Sequence, residues 1–300
     1  MKTPLVSIIT VNYNQSEVTR QLLSSLRKIS YQNIEILVID NGSPNDTPEK
    51  LKDDFPEIIL IISQENLGFA GGNNLGVDKA KGEYCLFINN DTEVEPDFLE
   101  PLISRMQSDE SIGMLSPKIR FHHTPDTIQY AGYTRYHPIT MRQQLIGYRE
   151  KDVGQHDAGG YTFAVHGAAM MVPMKIIDQI GSMDEIFFLY YEEHDWCERV
   201  KKAGYKMYYE SNSIVWHKES ISTGRESPLK AYYITRNRIL FTRRNSKAGL
   251  KWISLIYLYL LVPVKFSLKY LAKKQIPLLR ASWKGTLWNL SHKAYNKNHK

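Results

Sequence analysis

Apolar residues in the first third of the chain come in short unbroken runs, each followed by a polar stretch. LVSIITV (5–11), IEILVID (34–40), IILII (58–62) and YCLFIN (84–89) are four such runs. Between them the spacing turns helical. QSEVTRQLLSSLRK (15–28) puts Val18, Leu22, Leu23 and Leu26 on one face, the stretch 46–54 is polar and helix-like, and AGGNNLGVDKAKG (70–82) reads as a helix stopped by Gly82. Continuous apolar strands alternating with helices predict an α/β fold, a mostly parallel central sheet covered by helices on both faces. Sheets of this kind bind ligands beyond the carboxyl ends of their strands. Here those ends read Asn12-Tyr13-Asn14, Asp40-Asn41-Gly42-Ser43 and Asn89-Asn90-Asp91. One polar strand end is ordinary turn chemistry. Three on one edge predict a site.

The pattern weakens between about 120 and 160, where FHHTPDTIQYAGYTRYHP reads as a loop-rich insert. Apolar order returns in YTFAVHGAAMMVP (161–173). A helix is predicted from Glu192 to Ala203, ended by Gly204, then a strand, a further strand SIVWH (213–217) and a helix over 228–244. WISLIYLYLLVPV (252–264) is 13 residues of nearly unbroken hydrophobicity, short of the roughly 20 that cross a bilayer. In the following KFSLKYLAKK, Lys265, Lys269 and Lys273 fall on one helical face. That segment predicts an amphipathic helix lying on an anionic membrane surface, with a helix packed on protein as the alternative.

Composition adds two constraints. The 300 residues are 42% hydrophobic and 23% charged, ordinary for a globular chain with a sizeable core. The net charge of +6 is unevenly spread. From Arg243 to Lys300 there are 13 basic residues and no acidic one, which leaves the other 242 residues at −7. An acidic body with a basic tail argues against nucleic acid as a partner and fits an anionic surface. Cys85 and Cys197 form no CxxC pair and read as reduced thiols. The N-terminus shows no long apolar leader, so the expected place is the cytoplasm, on the inner face of the membrane.

VSIITVNYN, ILVIDNGS, ENLGFAGGNN, LFINNDTEVEP, VHGAAMMV, YYEEHDWCERVKKAGY, IVWHKES and YYITRNR follow one another from residue 4 to about 245. In that order they resemble the family 2 glycosyltransferases, inverting sugar-nucleotide enzymes of the GT-A fold, and their rhamnosyltransferase-like branch. The resemblance implies a catalytic domain over 1–245, with a nucleotide-sugar half (1–120) and an acceptor half (121–245), and a basic helical tail over 246–300. It implies transfer of a sugar, rhamnose being one choice, from a dTDP- or UDP-linked donor to a glycan or lipid-linked glycan in surface polysaccharide synthesis.

Residue by residue, Asn89-Asn90-Asp91 stands where the family carries its DxD motif, so Asp91 with His217 would hold Mg²⁺ or Mn²⁺ on the donor diphosphate. Asn89 replaces the first Asp of that motif. Asp40 would contact the pyrimidine base, with Thr10, Asn12, Tyr13 and Asn41 about it. Asn66, Gly68, Gly72 and Asn73 would bring backbone N–H groups to phosphate or sugar. This stretch is not GxGxxG, which argues against a dinucleotide. Glu193 would be the base that deprotonates the acceptor, with Asp195 and then Glu192 behind it. From the residues alone, acids at a helix start complement the dipole, and Asp195 and Arg199 are spaced for an ion pair. His166, Gly167, Ala168 and Trp196 would meet the acceptor, and Arg236 and Asn237, with Lys218 and Arg225, the diphosphate. Two alternatives stand beside the enzyme. One is an inactive scaffold that binds a sugar nucleotide or glycan. The other, a nucleotidyltransferase, lacks a basic Gly-rich loop after the first strand.

Overall fold

The computed structural model describes residues 3–218 and 227–294. The first half alternates as predicted: β1 (Val6–Asn12), α1 (Ser16–Leu26), β2 (Ile34–Asp40), the short α2 (Leu51–Asp54), β3 (Ile59–Ile62), α3 (Gly68–Val77) and β4 (Tyr84–Ile88). Then come β5 (Thr92–Val94), α4 (Leu99–Ser108), β6 (Ile112–Phe121), β7 (Thr124–Tyr130), β8 (Gly160–Thr162), β9 (Ala169–Pro173), α5 (Met174–Ile180), α6 (Glu192–Lys202) and β10 (Lys206–His217). The C-terminal helices are α7 (Pro228–Asn245), α8 (Ala248–Ile256), α9 (Val262–Ala272) and α10 (Ile276–Ser291).

Among the described residues ten strands form one sheet, in the order β3-β2-β1-β4-β9-β6-β10-β5, with β7 on β6 and β8 on β10. The four strands β3-β2-β1-β4 are parallel, as the continuous apolar runs predicted. Beyond β4 the sheet is mixed, since β9 runs antiparallel to both β4 and β6, and β10 antiparallel to β5. The region read as a loop-rich insert contains a strand, β7, in a hairpin with β6. Its TPDTIQY sequence is too polar to show the apolar alternation of a buried strand. KMYY and SIVWH are one twelve-residue strand, β10, bulged after Glu210.

Two apolar layers flank the sheet, because successive strand residues point to opposite faces. Ile8, Val38 and Leu86 pack beneath α1 and α4, with Leu22, Leu26 and Leu102. Ile9, Leu37 and Phe87 face α3, α5 and α6, with Ala70, Ile176 and Trp196. The glycines of α3 serve this packing: a Cβ at Gly76 would fall 2.5 Å from Ile9 Cγ2, and one at Gly72 3.0 Å from Val11 Cγ1.

The tail is helical. Pro228 and the Ser227 side chain, which accepts from the Lys230 N–H, start α7 in the usual way for a helix N-terminus. Gly285 lets α10 press against α7, since a Cβ there would lie 2.5 Å from Tyr232 O. The 13-residue run does not stop where its composition suggested. It belongs to a continuous 25-residue helix, Ala248–Ala272, in which a π turn (Tyr257–Leu261) joins α8 to α9. By length and composition this helix could cross a membrane. The expectation that the segment is too short is thereby corrected: less apolar residues on both sides continue the helix.

Candidate active site

The β5–β10 pairing sets His217 opposite Thr92, and so beside Asp91 at the tip of β4. His217 Nε2 lies 3.1 Å from Asp91 Oδ1, and both residues are buried. The other ring nitrogen, Nδ1, lies 2.8 Å from Gln129 Oε1 on β7. An amide oxygen only accepts, so Nδ1–H donates to it, and Nε2 is the nitrogen that faces Asp91. This is the arrangement that orients a metal-binding histidine through its second nitrogen. Asn89 Nδ2 stands 3.4 Å from the same Nε2, and a half-turn of the amide would present its oxygen instead. Among the described residues no three His, Cys, Asp or Glu side chains gather around a cation position. The donor set of one carboxylate, one imidazole and one amide fits a cation that completes its shell with phosphate oxygens and water.

Behind this pair runs a chain of buried polar side chains. Asn12 donates to Asp40 Oδ1 at 2.8 Å and to Asp46 Oδ2 at 3.1 Å. Its own oxygen accepts from Thr19 Oγ1, which in turn accepts from Asn90. Ser43 donates to Asp40 through both its hydroxyl and its N–H. The ends of β1, β2 and β4 are therefore tied into one rigid edge. Asp46, which sequence reading missed, takes hydrogen bonds from the Ser16 N–H and hydroxyl at the start of α1. Those bonds outweigh its desolvation and lower its carboxyl below the usual range. Thr10 is fully buried with its hydroxyl unpartnered, and Tyr13 stands at the rim, 37% exposed.

The loop before β9 crosses the tip of β4, where the Asn89 N–H donates to Ala168 O. His166 lies in this loop, its ring 6.2 Å from that of His217 and stacked parallel to Tyr133. Its Nδ1 accepts from the Ala168 N–H, and burial lowers its pKa to about 3. Burial thus favours the neutral form of His166. Gly167 next to it faces Glu193, where even a Cβ would meet Glu193 Cδ only in ordinary contact, at 3.8 Å. One oxygen of Glu193, Oε2, has no hydrogen-bond partner. Glu193 lines a cleft of about 630 Å³ together with Tyr133, Arg142, Tyr148, Tyr191 and His194. Its neighbour Glu192 is buried, and desolvation, reinforced by Glu193, raises its pKa well above the usual carboxylate range.

Several residues singled out in the sequence do other work. Asp195 faces away from the cleft into an ion-pair group, 3.5 Å from Arg199 and 3.4 Å from Arg244, and accepts from Asn245. Trp196 is core: its ring meets Phe87 edge-on and its N–H donates to Gly181 O. Arg236 and Asn237 are buried, and their donors take up the carbonyls of Ile186, Phe187, Leu189 and Tyr190. The turn they brace is strained, with positive φ at Phe188, Tyr190 and Tyr191, and it aims the first turn of α6 at the cleft. The Gly-rich stretch offers no free N–H cradle at the start of α3. The N–H groups of Phe69 and Ala70 both donate to Phe188 O, and those of Leu67 and Gly68 to Asn41 and Asn66. Asn73 turns back on its own helix, donating to Phe69 O. Lys218 pairs with Glu93 and Gln21. Arg225 lies outside the described residues.

Gln129, Tyr133, Arg142 and His194 were not foreseen. Only His194 carried a signal, its place beside two glutamates at a helix start.

The open α/β sheet thus carries a carboxylate–imidazole pair at its carboxyl edge, with Glu193, 3.8 Å from His194, across the loop. The sequence profile of glycosyl transferase family 2 matches residues 7–170, and the chain belongs to that family. It is 26% identical over 96% of its length to the low-salt glycan biosynthesis hexosyltransferase Agl10 of Haloferax volcanii, covering 92% of that protein. It is 24% identical to the N-acetylglucosaminyl-diphospho-decaprenol L-rhamnosyltransferase of Mycobacterium tuberculosis, covering 83% of this chain and 89% of that one. Among solved structures it resembles the mannosyltransferase PcManGT of Pyrobaculum calidifontis in complex with GDP-Man and Mn²⁺. The TM-score is 0.60 at 14% identity, over 98% of this chain and 77% of the other. GalNAc-T7 with UDP, GalNAc and Mn²⁺ superposes with a TM-score of 0.61 at 16% identity, over 90% and 58%. The fold is GT-A, and the chain is a glycosyltransferase.

Proposed function

We propose that the chain transfers a hexose, with inversion, from a nucleoside-diphosphate sugar to a hydroxyl of a glycan or lipid-linked glycan. The observation that carries this reading is Glu193 in the cleft wall, with one carboxylate oxygen unpartnered, one loop away from the Asp91–His217 pair. Glu193 accepts the proton of the acceptor hydroxyl as that oxygen bonds to the anomeric carbon, and the bond to the diphosphate breaks with its electron pair. Asp91 and His217, with Asn89, would hold a divalent cation, Mg²⁺ or Mn²⁺. When bound, it neutralises charge on the departing diphosphate. Asp40 Oδ2 keeps a lone pair for a uracil or thymine N–H, which favours a UDP or dTDP donor, and Tyr13 flanks the base. The aromatic walls of the cleft suit a sugar ring, and the similarity to the mycobacterial N-acetylglucosaminyl-diphospho-decaprenol L-rhamnosyltransferase supports a lipid-linked acceptor and rhamnose as donor sugar. Residues 1–245 form the catalytic domain, and 246–300 hold it to the inner face of the membrane.

The test is calorimetric binding of UDP and dTDP with and without Mn²⁺, followed by transfer to a synthetic lipid-linked glycan with the anomer read by NMR. Binding of one nucleotide that requires the metal, with an inverted product, is expected. One observation favours the scaffold reading, the amide at Asn89. Nucleotide binding without turnover on any acceptor would select it.

A further inference from the structure

The helix Ala248–Ala272 packs on the enzyme along one side only. Leu255, Leu258 and Val262 join Ile239 of α7 in a buried cluster, and Ser254 Oγ donates to Pro138 O. The other side is bare and apolar: Trp252, Ile256, Leu260, Val264 and Leu268 are 56–72% exposed. Only 28% of the most apolar stretch of this helix is buried. These five residues recur every fourth position. On a regular α-helix such a repeat advances about 40° per step, so Leu268 would drift about 160° from Trp252. The π turn between them accommodates one extra residue and takes back about 100°. The exposed residues thus stay on one face, and a wider-than-usual turn is the device that keeps them there.

The face continues onto α10. Trp283 donates its indole N–H to Ser267 Oγ at 2.9 Å, next to Leu268, and Leu287 and Leu290 are exposed beyond it. Basic residues flank these apolar ridges. Lys265, Lys269, Lys273 and Lys274 are exposed, and no acidic residue occurs anywhere from 246 to 300. Arg280, Lys284 and His292 line a shallow hollow of about 530 Å³ on α10 with Trp283 and Trp288. An apolar face this extended marks an interaction surface, and its cationic surround selects the partner.

We propose that α8, α9 and the exposed edge of α10 form a flat membrane seat. The apolar ridge enters the headgroup region of an anionic bilayer, and the lysines and Arg280 meet lipid phosphates. The helix lies along the surface rather than crossing, because one side is packed on α7 and Lys265 and Lys269 interrupt the other. This goes further than the membrane attachment proposed above, and rests on it only for the lipid-linked acceptor that the seat would bring to the cleft.

The experiment is co-sedimentation of the full chain with phosphatidylcholine vesicles, with and without phosphatidylglycerol. The wild type is expected to pellet with anionic vesicles and be released by salt. The double variant L260E/L268E, both at exposed positions, should bind more than about tenfold more weakly. K265E/K269E should lose the preference for anionic lipid. Circular dichroism and Mn²⁺-dependent UDP binding serve as folding controls for both variants. Equal pelleting of L260E/L268E overturns the seat. Pelleting that resists alkaline carbonate overturns it in favour of a crossing helix. A wild-type dimer that L260E/L268E splits, without vesicle binding, assigns the face to a second copy instead. Vesicle binding as predicted with no nucleotide binding leaves the seat standing and removes the functional reading.

Discussion

At the scale of single residues, three side chains that look alike in sequence have been given three states by their surroundings. Glu192 is desolvated under the turn braced by Arg236, Glu193 opens into the cleft, and Asp195 pairs with Arg199 and Arg244. Glu193→Gln keeps the shape and removes the proton acceptor. It is expected to lower kcat by about 10²–10⁴-fold with donor binding unchanged, by steady-state kinetics and calorimetry. Unchanged kcat would remove Glu193 as the base. Gln129 never approaches substrate in this reading and acts through His217 Nδ1. Gln129→Ala should weaken Mn²⁺ binding about 10–100-fold, measured by Mn²⁺ electron paramagnetic resonance titration, and Gln129→Glu should restore most of it. Failure of the glutamate to rescue would mean that the contact is only packing.

Single elements carry constraints that no one residue explains. The start of α3 and the turn before α6 are locked together through Phe188 O, which accepts from Phe69 and Ala70. Gly68 makes this possible, with φ at +71° and a would-be Cβ 2.3 Å from Phe188 O. Gly68→Ala must break the lock as well as adopt a left-handed backbone. A loss of about 2–4 kcal/mol by urea unfolding is expected. Asn237→Ala would take this donor from the half-buried carbonyls of Leu189 and Tyr190 and should cost about 1–3 kcal/mol in the same assay. The second variant should also lower kcat, since Glu193 lies in the first turn of the helix that this turn aims.

For the whole molecule, the raised pKa of Glu192 links stability to pH. Its folded-state value lies above the ordinary 4.5, so between the two the folded chain holds a proton that the unfolded chain has lost. Stability therefore falls as pH rises through that window, starting near the ordinary glutamate value. Glu192→Gln should flatten this slope and raise Tm at neutral pH, with little change near pH 4. A Tm series across pH in both forms checks it, and an unchanged slope would show that Glu192 is not the group responsible.

Much of this chain was legible from its sequence. The four parallel strands, their helices and the polar strand ends follow from periodicity and turn chemistry, which are local properties. The order of the eight motifs disclosed the family, and Asp91, His217 and Glu193 were named from it. Other features depend on which strands pair. The mixed half of the sheet, the hairpin strand β7 and the meeting of His217 with Gln129 arise from contacts between segments far apart in the chain. Composition could not separate a binding glycine from a packing one, and Gly72 and Gly68 turned out to pack. Nor could it say that Arg236, Asn237 and Trp196 point inward. Local sequence determined what each segment is, because helix and strand preferences act over a few residues. Only the tertiary structure decided which polar groups are satisfied by the protein and which, like Glu193 Oε2, are left without a hydrogen-bond partner, because those partners come from segments far apart in the chain.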